Sequence, residues 1–334
     1  MKNEEKYTKD IIPPLDFTEH VKKRPFMYIG SIIELFFGLI DNCIELTKTD
    51  KILFKITLIE ENDFSINIST EENIESFLEY FENKIEDFEN HYLPKVLKVI
   101  SKKFSINKVN NSETSISFSF DKAIIKNTDV DYQKLSEKAL LISVLNKQTE
   151  ILTTDKRQKY LSQNYYHFPK GLFYLFDRVN KEALGKPKFK ITFEETIDLY
   201  EYKIGIAYRT DWYPNEHIQS FANNIETKCG GSLVDGIFNG LFSACKNYVK
   251  TNNLTTHKIK RKKMLNGLII ICSIRGHNLK YGGSFKETLE NKIIYKKAKK
   301  IIETSVLDFM NENKEITTDF LMRFDKTHLT SGIY

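Results

Sequence analysis

Glycine is missing from the middle of this sequence. Of 334 residues 14 are glycine, and none falls in the 132 positions between Gly38 and Gly171. Loops that cradle phosphate need glycine, because backbone amides must approach the anion closely and often at positive φ. The gap therefore excludes a glycine-rich phosphate loop of any standard kind from that interval. Long apolar runs are missing too: the longest, Ile32 to Ile40, is interrupted by Glu34 and is too short to span a bilayer. No basic segment followed by an apolar one opens the chain, which argues against secretion. The four cysteines, Cys43, Cys229, Cys245 and Cys272, show neither close pairing nor His/Cys metal spacing. Reduced thiols in a cytoplasmic protein are the expectation.

What is present is a globular composition, 41% apolar and 28% charged, long enough for two domains. The net charge of +5 conceals an asymmetry. Residues 1–168 carry 23 Lys/Arg against 27 Asp/Glu, a net of −4, and residues 169–334 carry 27 against 18, a net of +9. The basic half is the candidate for a polyanion.

Periodicity divides the chain into an arm (1–17), a first domain (18–168) and a second (169–334), together an α+β architecture. The arm is polar apart from Ile11 and Ile12 and is stiffened by Pro13-Pro14. Ile32–Leu46 has helical spacing; Ile52–Ile59 and Phe64–Ile68 alternate like the strands of a hairpin. Residues 71–90 read as one amphipathic helix with an apolar stripe from Ile74 to Phe88, and Pro94–Phe104 as a second, basic helix. Strands are expected at 115–120 and 149–153 around a helix at 132–145. The second half offers helices at 170–179, 233–250 and 291–313, with strands at 189–194, 200–209 and 267–274.

Val21-Lys22-Lys23-Arg24-Pro25-Phe26-Met27-Tyr28-Ile29-Gly30 resembles a segment of the DNA gyrase B family, V-R-K-R-P-G-M-Y-I-G. Gly38-Leu39-Ile40-Asp41-Asn42-Cys43-Ile44-Glu45 is similar to that family's E-V-V-D-N-A-I-D helix. Ser220-Phe221-Ala222-Asn223-Asn224-Ile225, then Gly230-Gly231 and Gly236, resemble its S-F-A-N-N-I…G-G-T-H…G pattern. Thr114 with Phe118, and His167 to Leu172, are weaker matches. Lys286 stands where the family has its Q-T-K lysine. The blocks follow the family's order across nearly the whole chain. The resemblance implies a GHKL-type (Bergerat) ATPase α/β sandwich followed by a ribosomal-protein-S5-like transducer, without the cleavage-and-religation parts.

The same resemblance exposes losses. The family's water-activating glutamate falls at Gly38, which has no side chain to accept a proton. Glu34 and Glu45, a turn to either side of this region, would have to act from different sites. The adenine-recognising aspartate falls at Ile68, and two glycines of that turn at Thr70 and Glu72. His91-Tyr92-Leu93-Pro94-Lys95 replaces the glycine-rich lid. Eleven acids between Glu60 and Glu89, against Lys84 alone, raise the negative potential where a triphosphate would lie. By the resemblance Asn42 (magnesium), Thr114 and Lys286 (nucleotide) are vestigial ligands. No cofactor is expected; ATP with magnesium belongs to the alternative, a divergent ATPase with a remodelled site.

The expectation is thus a stand-alone pseudo-ATPase that works by binding DNA or a topoisomerase subunit, in a regulatory, protective or defence role. Lys258, Lys260, Arg261, Lys262 and Lys263 are the candidate phosphate contacts, set against a solvated loop or strand edge. Tyr208, Trp212 and Tyr213 beside Arg209 are candidates for base stacking or, more simply, packing. In the family an arm tyrosine wraps the second subunit; Tyr7 is suitably placed for a homodimer. A third reading has an acidic face at Glu75, Glu79, Glu82 and Glu86 imitating DNA.

Overall fold

The computed structural model describes residues 16–46, 51–71, 74–82, 84, 92–182, 188–209, 215–254, 258–284 and 286–324. Residues 1–15 of the arm, Tyr7 among them, and also Glu72, Glu86, His91, Trp212, Tyr213 and His257, lie outside the described residues. The chain forms two units, residues 1–169 and 170–334.

The first unit runs α1 (Phe17–Lys23), α2 (Phe26–Ile29), α3 (Ile32–Leu46), β1 (Ile52–Leu58), β2 (Asp63–Thr70), α4 (Glu75–Phe81), α5 (Leu93–Ile100), β3 (Ser101–Asn110), β4 (Glu113–Phe120), α6 (Tyr132–Leu145), β5 (Thr149–Asp155) and β6 (Ser162–Tyr166). The strands form one mixed sheet in the order β3-β4-β2-β1-β5-β6, with β1 parallel to β5 and the other pairs antiparallel. Alternation decides its inner face: Ile52, Phe54, Ile56 and Leu58 of β1 point into the core. Phe36 of α3 meets Phe64 and Phe118 edge-on at 5.5 and 5.8 Å between ring centres, which fixes the helix against the sheet. Asp131 caps α6 by accepting from the amides of Gln133 and Lys134.

Two expectations are corrected here. Residues 101–104 do not extend a basic helix; α5 stops at Ile100 and the chain enters β3 at once. The described part of the 71–90 segment forms a helix only over Glu75–Phe81. β3 and β6 were not foreseen: β3 is exposed along most of its length and β6 is an exposed edge, so neither shows a half-buried alternation in sequence.

The second unit runs α7 (Leu172–Glu182), β7 (Lys190–Ile197), β8 (Tyr200–Tyr208), β9 (His217–Ala222), β10 (Ile225–Glu226), α8 (Ser232–Thr251), α9 (Arg261–Leu265), β11 (Leu268–Arg275), β12 (Tyr281–Gly282), β13 (Thr288–Leu289), α10 (Lys292–Glu312) and α11 (Lys314–Leu321). Its main sheet has the order β10-β9-β11-β8-β7. Tyr202, Ile204, Ile206 and Tyr208 on β8 belong to the same core as the inner faces of α8 and α10. Gly205 lies on the opposite face, where a β-carbon would sit 2.7 Å from the Phe176 ring of α7. α8 and α10 approach closely because Gly236 and Gly240 carry no side chain: a β-carbon there would fall 2.7 Å from the Tyr295 carbonyl and 2.5 Å from that of Lys299. Among the described residues no helix is long and apolar enough to cross a membrane. All four cysteines are free thiols, and burial pushes those of Cys245 and Cys272 up to about 12.

Candidate functional site

Apart from Lys286, the residues that the resemblance assigns to a nucleotide lie on α3, β2 and β4. Asn42, on the inner side of α3, is buried and its amide donates 2.7 Å to the Tyr80 hydroxyl. Tyr80 comes from α4, whose apolar side (Phe77, Tyr80, Phe81) is fully buried, so the helix is packed into the unit. Burial, with the Cys43 thiol beside it, lifts the Tyr80 phenol well above its ordinary range and keeps it a neutral hydrogen-bonding group. Gly38 stands one helical turn before Asn42, and a β-carbon added to it would lie 2.8 Å from Cδ1 of Leu93. The position that would hold the general base therefore abuts the first residue of α5. Glu34 and Glu45 are both exposed.

Ile68 is fully buried and opposite Thr114 in the β2–β4 register. Thr114 is equally buried, its hydroxyl donating 3.2 Å to the Asn107 carbonyl. Thr70 donates to the Lys51 carbonyl at 3.3 Å. Tested as a cradle for adenine, triphosphate and magnesium, these residues do not fit. The adenine position is an aliphatic side chain inside the core, the magnesium asparagine is bonded to a tyrosine, and the base position packs against a leucine. Sequence reasoning missed Tyr80 and Leu93; the available signal was Tyr80 three residues after Phe77, on the buried side of α4.

Three described acids of the stretch form exposed ion pairs. Glu75 pairs with Lys108 at 2.7 Å, Glu82 with Lys84 at 2.6 Å and Glu71 with Lys51 at 3.2 Å. Lysines thus stand beside Glu71, Glu75 and Glu82, while Glu86 lies outside the described residues. An open cleft of about 710 Å³ lies at the ends of β1, β2 and β5, bordered by Lys51, Thr70, Lys147, Glu150 and His167.

In the second unit Lys286 sits in the β12–β13 turn at φ +59°, with its ammonium 5.2 Å from the centre of the Tyr281 ring. The basic run is part loop and part helix: Lys258 and Lys260 precede α9, with Lys260 at its N-cap position, and Arg261, Lys262 and Lys263 lie on it. Arg261 is committed to α8, its guanidinium over Phe238 and Phe242 at 4.8 and 5.3 Å and bonded to Asn239 at 2.5 Å. Lys258, Lys260 and Lys262 are exposed and Lys263 is half-buried. Lys246 of α8 is also exposed, with its ammonium 5.4 Å from the centre of the Phe242 ring. Tyr208 is buried and donates 2.8 Å to the Met264 carbonyl, so it packs and does not stack on a base.

The glycine–asparagine blocks are structural. Asn223 (φ +51°) accepts from the Gly276 amide at 3.0 Å and donates to the Gly276 carbonyl at 3.3 Å, locking the β9–β10 turn to the end of β11. Gly231 (φ +100°) bridges to Leu289 where no β-carbon fits.

A family model described as DNA gyrase B matches residues 172–328. The chain is similar to the ATPase region of DNA gyrase B. The DNA gyrase B of Mycoplasma pneumoniae is 25% identical over an alignment of 376 positions that covers 92% of this chain and 58% of the relative. That of Streptococcus pneumoniae (TIGR4) is 26% identical, over 61% of this chain and 32% of the relative. The chain thus spans between a third and three-fifths of the length of these curated relatives. The 43K ATPase domain of Thermus thermophilus gyrase B, solved in complex with an aminocoumarin, has the same fold: TM-score 0.72 at 17% identity, covering 92% of this chain and 93% of that one. The GHKL-type fold with a transducer is therefore present in this gyrase-B-like chain.

Proposed function

We propose that this gyrase-B-like chain is a pseudo-ATPase that acts by binding, with its nucleotide position given over to packing. The observation that carries the reading is the buried Asn42–Tyr80 hydrogen bond beside Gly38 and Leu93. A general base must reach its water, and a carboxylate cannot be supplied from a glycine packed on leucine. Calorimetry of the chain against ADP and a non-hydrolysable ATP analogue is expected to show no heat of binding up to millimolar ligand. A micromolar dissociation constant, or ATP turnover lost in Lys286→Ala, would overturn the proposal.

For the binding partner we propose DNA, met by the exposed lysines around α9, with a topoisomerase subunit as the competing partner. Lys258, Lys260 and Lys262 with Lys246 supply the positive charge, and Arg261 holds α9 against α8. Anisotropy with a labelled duplex is expected to give an affinity that falls steeply with salt. Lys260→Gln with Lys262→Gln should reduce the logarithmic salt slope by about 0.9 for each phosphate left without its lysine. An unchanged slope removes α9 from the interface. Pull-down after nuclease treatment separates the partners: a topoisomerase subunit retained without DNA favours the protein partner.

A further inference from the structure

The two edges of the first sheet are built differently. β3 closes one side with Lys102, Lys103 and Lys108 and with irregular pairing at both ends, at Ser101/Lys103 and Lys108/Asn110. Lysines and bulges are how natural sheets prevent a second strand from adding to an edge. β6 closes the other side with none of these. Residues 160–168, Tyr-Leu-Ser-Gln-Asn-Tyr-Tyr-His-Phe, contain no Lys, Arg, Asp, Glu or Pro, where a chain that is 28% charged averages roughly two or three charges in nine residues. Tyr160, Leu161 and Tyr165 are 77, 60 and 56% exposed, an unusual amount of apolar surface on one short strand and its approach.

The edge is also held rigid. Arg157, in the β5–β6 turn, bonds both Asp155 oxygens at 2.9 Å and the Val130 carbonyl at 2.8 Å. Asn164 donates to the Tyr132 and Ser136 hydroxyls at 3.0 Å, which ties β6 to α6. A strand already fixed in extended form loses little further entropy on pairing.

From these observations we infer that β6 is a self-association edge, pairing antiparallel with β6 of a second copy about a two-fold axis at Asn164. An isologous contact sets each residue against its mirror position, so a charge near the axis would meet its own kind. The neutrality of 160–168 is what such a contact demands. In this register Gln163 faces the partner's Tyr165, and Tyr160 comes opposite the partner's Phe168. The two sheets then run on as one. The inference is independent of the pseudo-ATPase reading, because it uses no part of the α3–α4 site.

The test uses the whole chain in a Cys229→Ser background, which removes the exposed native thiol. Gln163→Cys with Tyr165→Cys should form an intermolecular disulfide under mild oxidation, whereas Leu161→Cys alone, opposite the partner's His167, should not. Sedimentation velocity of the unmodified chain should show a concentration-dependent dimer, and Tyr165→Lys or Gln163→Lys should raise its dissociation constant at least tenfold. Should the lysine variants misfold, the cross-linking pattern decides alone. A monomer at every concentration, a dimer indifferent to both lysines, or equal cross-linking from Leu161→Cys would each overturn the inference.

Discussion

Glycine is used in opposite ways by the two units. In the first, the positions that the gyrase-B resemblance expects to be glycine are side chains, and the described ones are packed: Thr70 bonds a neighbouring strand end and Leu93 fills space beside Gly38. In the second, glycines stand wherever two backbones touch, at Gly231, Gly236 and Gly240. A phosphate-binding glycine has value only while a phosphate is bound. A packing glycine is required in every folded molecule. On the proposed reading, the contrast is that of a chain that keeps the fold of an ATPase region while core packing takes the place of nucleotide contacts.

The largest expected effect sharpens this contrast. Gly240→Leu drives a side chain into the Lys299 carbonyl and should cost about 3 kcal/mol or more, read as a lower urea midpoint at unchanged slope. Tyr80→Phe leaves the buried Asn42 amide without the tyrosine oxygen and should cost about 1–3 kcal/mol, with nucleotide binding still absent. Recovery of nucleotide binding in that variant would mean that Tyr80 was a plug over an intact site.

Gly38→Ala should be nearly neutral, within about 1 kcal/mol, since the helix-propensity gain of losing a glycine offsets the shift demanded of the Leu93 methyl. A cost as large as that of Gly240→Leu would erase the distinction between the units. The smallest effect concerns pH. Arg157, chiefly through its side-chain hydrogen bonds, holds the Asp155 carboxyl below its ordinary 3.8. A depressed carboxylate contributes stability that is complete above its unfolded value and is lost as pH falls through the folded one. The stability gap between wild type and Arg157→Met should therefore be widest at neutral pH and narrow below pH of about 4, measured by denaturant midpoints.

Much of the fold was legible. The periodicity of Ile52–Ile59, Phe64–Ile68 and 132–145 located β1, β2 and α6, because each element has one buried face and repeats its apolar residues at the period of its backbone. The edge strands β3 and β6 were not, since an exposed strand has no such period. The candidate site was half legible. The loss of a base at Gly38 is a fact of composition, but Tyr80 and Leu93 lie 38 and 55 positions from Asn42 and Gly38, and nothing local links them. The basic run was visible as charge; its division into one stacked arginine and several exposed lysines was not.

By itself the sequence determined which side chains are on offer: residues 39–170 hold no glycine for a glycine-rich phosphate loop, and position 38 has no side chain to take a proton. Tertiary structure alone decided what those positions touch. A hydrogen bond or a ring contact depends on distance in space, and folding brings residues that are remote in the chain to within a few ångströms.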